Sequence, residues 1–319
     1  MRNMGDPIAA MAGRSVTRSA ERERLTKVLG LDKPVYLQYI YWLVGNDWTK
    51  TDVDGDGIAE TQGTRKGILR GDFGTSLVNR GKPVTKVIAE RLPNTLILMV
   101  AAEVVVILGA LIVGVYSALR QYSALDNIMT AVSFIAYSMP IFFIALISMY
   151  IFGVFFKRWG LPYLPTVGMF DPNVGKTVGQ VALHMILPIL SMTLISLAAY
   201  SRYIRSTMLE VMNQDYIRTA KAKGLPRWRI VYIHALKNAS LPLVTLVGLD
   251  IPLLLGGALV TERIFAWPGM GRLFLDHVNR LDVPVVMGIL MLIAVAVVVF
   301  QIITDIVYAW LDPRIRYGT

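Results

Sequence analysis

From residue 94 onward the chain alternates long apolar runs with short polar ones, and within each long run the apolar positions are continuous rather than striped. A helix that rises 1.5 Å per residue needs about 20 residues to cross about 30 Å of hydrocarbon. Five runs are long enough: Asn94–Ala118, Ile128–Phe156, Val178–Ser201, Ala239–Thr261 and Val283–Thr304. Glu103 and Asp250 are the only formally charged side chains inside them. Helices of soluble domains seldom stay uncharged for so long, so the pattern predicts an all-α polytopic membrane protein.

The polar stretches set the orientation. Between Arg202 and Lys237 stand eight basic residues (202, 205, 218, 221, 223, 227, 229 and 237), against Glu210 and Asp215. A short basic loop between spans belongs on the cytoplasmic side. Counting outward, a cytoplasmic tail over 308–319 follows, and loops 157–177 and 262–282 face outward. So does everything before Asn94. The predicted organisation is an extracytoplasmic region 1–93 with an acidic insertion at 52–60, a transmembrane domain 94–307 with a cytoplasmic loop 202–238, and the tail. Region 1–93 has fifteen basic and eleven acidic residues and starts without an apolar anchor, so it would not cross a membrane unaided.

Composition sharpens this. A hydrophobic share of 55% and a mean hydropathy of +0.53 are too apolar for an ordinary soluble domain. Cysteine is absent, which excludes disulfides and cysteine-ligated metals. The net charge of +10 concentrates in the loop, which argues for topology and an anionic lipid surface rather than nucleic acid.

The loop carries the sharpest motif. Tyr216-Ile217-Arg218-Thr219-Ala220-Lys221-Ala222-Lys223-Gly224-Leu225-Pro226 reads as a helix, a glycine-proline turn and a second helix. Other groups recur around it: Leu29-Gly30-Leu31-Asp32-Lys33-Pro34 with Tyr36-Leu37-Gln38-Tyr39, Gly71-Asp72-Phe73-Gly74-Thr75-Ser76, and Arg91-Leu92-Pro93-Asn94-Thr95. Further on come Leu255-Gly256-Gly257-Ala258, Glu262-Arg263-Ile264-Phe265-Ala266-Trp267-Pro268-Gly269-Met270-Gly271 and Leu311-Asp312-Pro313-Arg314-Ile315-Arg316. In order and spacing these resemble the permeases of dipeptide, oligopeptide and nickel ABC importers, specifically the first of two paired permeases. Arg218-Thr219 stands where the family's coupling motif is named for Glu-Ala, as is usual in the peptide subfamily.

The resemblance implies a type I ABC importer permease fold in the cell membrane, with five visible spans. Relatives carry a first span just before Gly-Asp-Pro, and Gly5-Asp6-Pro7 opens this sequence, so the expectation is that this helix is missing; a genuine five-span protein is the alternative. It also implies a second homologous permease, two ATP-binding subunits and an extracytoplasmic substrate-binding protein, with ATP hydrolysis in the partners and no enzyme activity here. Di- or oligopeptides are the expected cargo. Nickel chelates, glutathione and oligosaccharides are carried by similar subunits. Arg218, Thr219, Ala220, Gly224, Leu225 and Pro226 are the expected ATPase-coupling residues. In this reading Glu210–Lys223 and Pro226–Asn238 form the two helices. Gly224 ends the first, Pro226 sits in the first turn of the second, and Ala220 lets a partner approach.

Other groups in the chain are candidates for chemistry. Asp52, Asp54, Asp56 and Glu60 alternate around Gly57 like the front half of a calcium loop, although Gly63 stands where the closing bidentate Glu belongs. They are a candidate Ca²⁺ site, or a solvated acidic turn. Gly175-Lys176-Thr177 ends like a P-loop but lacks the earlier glycine, Phe170 standing there. Carboxylates inside membrane spans are costly: Asp250 is either a candidate pore-lining residue that would favour cationic or amine-bearing cargo or a carboxylate paired with a neighbouring helix or the partner permease, and Glu103 is read as structural. Pro140, Pro188 and Pro252 are expected to kink helices. His184, His234 and His277 are scattered and form no metal pattern, and Arg70-Gly71-Asp72 is chance. An ion-coupled secondary transporter using Asp250 and Glu103, and a membrane scaffold or receptor, are the readings of another class; neither needs the coupling motif.

Overall fold

A computed structural model describes residues 26–27, 30, 32–52, 58–79, 81–255 and 258–311. Gly5-Asp6-Pro7, Leu29, Leu31, Asp54, Asp56, Gly256-Gly257 and the tail beyond Leu311 lie outside the described residues. The helices are α1 Val35–Leu43, α2 Val84–Ala89, α3 Leu92–Leu119, α4 Ala124–Ser138, α5 Ile141–Arg158, α6 Val178–Met212 and α7 Asp215–Ala222. They continue as α8 Arg227–Ala239, α9 Leu241–Leu255, α10 Leu259–Ile264, α11 Met270–Asn279 and α12 Val283–Leu311. Four helices, Val84–Leu119, Ile141–Arg158, Val178–Met212 and Val283–Trp310, are long and apolar enough to cross a membrane; Arg227–Ala239 and Leu241–Pro252, bent by 47° at their break, pass the same test only when taken as one span. The apolar runs are thus helical, as their length predicts. Along α3 the outward residues Val104, Leu108 and Ile112 are 49, 55 and 71% exposed, a surface suited to lipid rather than water.

Several boundaries differ from the sequence reading. The run 128–156 is two helices, because Pro140 has no N–H and pushes Met139 (ψ 137°) out of the helical region. Pro188 and Pro252, by contrast, lie inside α6 and α9. The run 239–261 is broken at Ser240 and again after Leu255. The loop 202–238 is mostly helix, since α6 continues to Met212, and the tail 308–319 begins within α12, which reaches Leu311.

The chain divides into two compact units. The first comprises Met1–Pro93 with Leu273–Leu292. Its centre is the Asp282 carboxylate, fully buried. It accepts hydrogen bonds from Ser76 Oγ and from the backbone N–H groups of Leu77 (3.0 Å) and Val78 (3.2 Å). His277 Nε2 lies 3.7 Å from it and 3.1 Å from Asn79 Nδ2. Asp72 holds the preceding turn through Gly74 N–H at 2.9 Å and Lys66 N–H at 2.9 Å. Strands β1 Lys50–Thr51 and β2 Thr61–Gln62 pair antiparallel. They are the one two-stranded sheet among the described residues.

The second unit, Asn94–Arg272 with Ile293–Thr319, holds most of the spans. Its largest core joins Val106, Ala110 and Val115 of α3, Tyr200, Ile204 and Met208 of α6, and Ile230, Val231 and Ala235 of α8. Close helix approach is built in where α9 meets α12: a Cβ on Gly248 would lie 2.0 Å from Thr304 Oγ1, and Tyr308 Oη donates to Leu241 O at 3.0 Å.

Candidate functional site

The motif at 216–226 folds as a rigid helix–turn–helix. α6 ends at Met212, and Asn213-Gln214 separate it from α7. At the end of α7, Leu225 N–H donates to Ala220 O at 3.3 Å and Gly224 N–H to Lys221 O at 3.0 Å. This is the paired hydrogen-bond pattern of a helix ended by a left-handed residue. Gly224 supplies that residue at φ +73°. A side chain there would meet nothing within 4 Å, so the glycine is required by backbone conformation and not by crowding. Pro226 is the N-cap of α8 rather than a first-turn residue, its carbonyl accepting from Arg229 and Ile230 N–H. α8 then passes through a π-helical stretch, Ile230–Ala235.

One face of this element is buried and the other open. Ile217 is fully buried and Ala220 is 7% exposed, both within the core that includes Ile230, Val231 and Ala235. The sequence reading expected Ala220 to let a partner approach; within this chain its small side chain lets α7 pack against the chain's own core. Asn238 Nδ2 donates to Tyr216 Oη at 2.9 Å, and Thr207 Oγ1 to Ala239 O at 2.8 Å, fastening the pair to α6. Arg218, Thr219, Lys221, Lys223, Gly224 and the run Pro226–Arg229 are exposed, and Leu225 is half-buried. The Arg218–Asp215 pair at 3.4 Å has side chains 73 and 95% exposed and adds little to stability. Nearby, Arg205 makes a two-point pair with the buried carboxylate of Asp126, at 3.1 and 3.0 Å. That guanidinium holds the Asp126 carboxyl below its ordinary range.

A second cluster lies inside the spans. Tyr200 Oη on α6 donates to Asp250 Oδ2 on α9 at 2.6 Å and is 3.3 Å from Glu103 Oε1 on α3. The two carboxylates that stand alone in sequence are thus neighbours. They line a cavity of about 190 Å³ with Val106, Met192, Ser196 and Leu254. Tyr200 could not be picked out of the sequence, because a tyrosine in an apolar helix is ordinary.

A third constellation joins two motifs noted only as signatures. Glu262, fully buried, accepts from Thr95 Oγ1 at 2.7 Å and from Arg272 N–H at 3.1 Å. Thr95 Oγ1 accepts from Met270 N–H at 2.7 Å. Trp267 Nε1 donates to Asn94 O at 2.9 Å, and Asn94 Nδ2 to Pro268 O at 2.9 Å. A Cβ on Gly269 would lie 2.3 Å from Glu262 Oε1, so the glycine is what admits the carboxylate. Burial pushes the Glu262 carboxyl above its ordinary range, with the Thr95 and backbone hydrogen bonds acting the other way.

The remaining candidates are quickly placed. Asp52 follows β1 and Glu60 precedes β2, while Asp54 and Asp56 are outside the described residues; among those described, no three His, Asp or Glu side chains could hold a metal together. Thr177 caps α6, its Oγ1 accepting from Gln180 N–H at 3.3 Å, which accounts for Gly175-Lys176-Thr177 without a phosphate.

Residues 110–317 match the family described as the inner membrane component of binding-protein-dependent transport systems. The chain is 40% identical over 313 residues to the oligopeptide transport system permease protein AppB of Bacillus subtilis (strain 168), covering 98% of this chain and 90% of that one. It is 35% identical over 333 residues to the dipeptide transport system permease protein DppB of Escherichia coli (strain K12), again covering 98 and 90%. The di/tripeptide transport system permease protein DppB of Pseudomonas aeruginosa (strain UCBPP-PA14) is 36% identical over 332 residues, with the same coverage.

Proposed function

Since the chain belongs to the family of inner membrane components of binding-protein-dependent transport systems, we propose that it forms half of the pore of an ATP-driven importer of di- and oligopeptides. The peptide assignment is supported by the names of the relatives, which are permeases for oligopeptides, dipeptides and di/tripeptides. The partners in this reading are a second, homologous permease, two ATP-binding subunits and an extracytoplasmic substrate-binding protein. The chain itself is a permease and not an enzyme.

The single observation that carries the mechanism is the α7–α8 element: a helix pair with one face locked into the core and the other, basic and aromatic, left open. An ATPase that never meets the cargo must act through such a protruding element. Burial of Ile217, Ala220, Ile230 and Val231 against α6 makes α7–α8 move with the spans instead of bending away from them. Arg218, Thr219, Gly224, Leu225, Pro226 and Trp228 would present the contact to the ATPase, Leu225 through its half-exposed side. ATP binding and hydrolysis then bias two packings of the spans, open alternately to either side. The basic loop supports a cytoplasmic side for α7–α8, with residues 1–93 and 262–282 outside in this reading. Asp250 lines the path.

The test is purification of the tagged chain from its own membranes in mild detergent, with mass spectrometry of what accompanies it and an ATPase assay. A second permease and nucleotide-binding subunits in the eluate support the reading. A stable oligomer free of ATPase would refute it.

A further inference from the structure

The Glu103–Tyr200–Asp250 cluster has more acceptors than donors. A tyrosine hydroxyl has one proton, and at 2.6 Å that proton goes to Asp250, leaving Glu103 at 3.3 Å without it. Among the described residues, no arginine, lysine or histidine pairs with either carboxylate, and Glu103 Oε2 and Asp250 Oδ1 accept no hydrogen bond. Glu103 is nevertheless only 7% exposed. Both groups border a cavity of about 190 Å³ whose other walls are mostly apolar, room for several waters at about 30 Å³ each. Two carboxylates around one hydroxyl, in a membrane span, repel each other unless one of them takes up a proton or a positive group stands between them.

We propose that this cavity is a transient binding site for a primary ammonium group, the protonated amino terminus of a peptide in transit. The inference rests on the peptide reading above. An ammonium has three donors and no acceptor, which matches the open Glu103 Oε2 and Asp250 Oδ1, with Ser196 on the adjoining wall. The apolar walls formed by Val106, Met192 and Leu254 accommodate a first side chain without selecting it, as a carrier of varied peptides requires. Tyr200 is a positioning residue: it holds Asp250 toward Glu103 and does not itself face the charge.

The experiment is uptake of radiolabelled tri-alanine into cells that carry the complete importer, with the binding protein unaltered. Asp250→Asn and Glu103→Gln keep size and one acceptor oxygen but replace the other with an NH2 donor and remove the charge. Each is expected to lower uptake about tenfold, the worth of one charge-assisted hydrogen bond, while still co-purifying with its partners. Asp250→Glu, which restores the charge, is expected to recover most of the loss. Unchanged uptake in both neutral variants, with the unaltered importer taking up tri-alanine, would overturn the site and leave the peptide reading intact. An Asp250→Glu variant that assembles yet transports as poorly as Asp250→Asn would overturn it too, by showing a role of shape rather than charge. If Asp250→Asn does not assemble, Glu103→Gln decides alone. An unaltered importer that takes up no peptide at all would overturn both proposals together.

Discussion

The 94–95/262–272 constellation and the α7–α8 element both contain sharp motifs, and they use them in opposite ways. In the first, Thr95, Glu262, Trp267 and Met270 are almost completely buried and joined by hydrogen bonds. In the second, only Ile217 and Ala220 of the α7 motif are buried, and Arg218, Thr219 and Gly224 look outward. A motif whose polar groups are satisfied internally explains itself by folding. A motif whose polar groups stay open calls for a partner. In the proposed reading, the difference separates residues that hold the permease together from those through which another subunit would move it.

Substitutions can break or sharpen that contrast. Trp267→Ala should be the most damaging, because it empties a fully enclosed site and removes the hydrogen bond to Asn94 O; a loss of about 3–5 kcal/mol should appear as poor yield and a lower melting temperature in detergent. Gly269→Ala pushes a methyl into the Glu262 carboxylate and should cost about 1–3 kcal/mol, by the same measurement. Gly224→Ala meets no neighbour but imposes a side chain at φ +73°, for about 1 kcal/mol. It should lower transport more than melting temperature.

Acidity offers a gentler probe. The buried Glu262 carboxyl titrates above its unfolded value near 4.5, so the folded state holds its proton to higher pH than the unfolded chain does. Stability from this group is therefore full below that unfolded value and declines as pH rises through the folded one. Glu262→Gln should flatten that part of a melting-temperature profile. Arg218→Ala should change stability least, within about 0.5 kcal/mol, yet reduce ATP-driven uptake several-fold if the exposed guanidinium anchors the ATPase. Equal loss of stability and uptake would erase the contrast.

Much of this was legible in the chain. Span positions follow from uninterrupted apolar length, and the Gly224 turn follows from the conformation glycine alone adopts readily. What was not legible is long-range. Thr95 and Glu262 are 167 residues apart, and nothing local says that one hydroxyl serves the other's carboxylate. Arg205 counted only as a topology charge, although Asp126 neutralises it. Ala220 read as a contact for a partner because smallness permits close approach, but sequence does not say whose surface approaches. The continuation of α6 to Met212 was hidden by polarity: a span that leaves the bilayer keeps its helix while changing its side chains.

The measurement that bears most directly on the coupling role of α7–α8 is peptide uptake beside ATP hydrolysis in membranes carrying the complete importer with Gly224→Trp. The account predicts normal insertion and co-purification, continued hydrolysis and uptake reduced at least about tenfold, because a Cβ at 224 meets nothing of this chain within 4 Å and the bulky side chain would stand on the face proposed to meet the ATPase. Uptake at the unaltered rate, at equal expression, would contradict it.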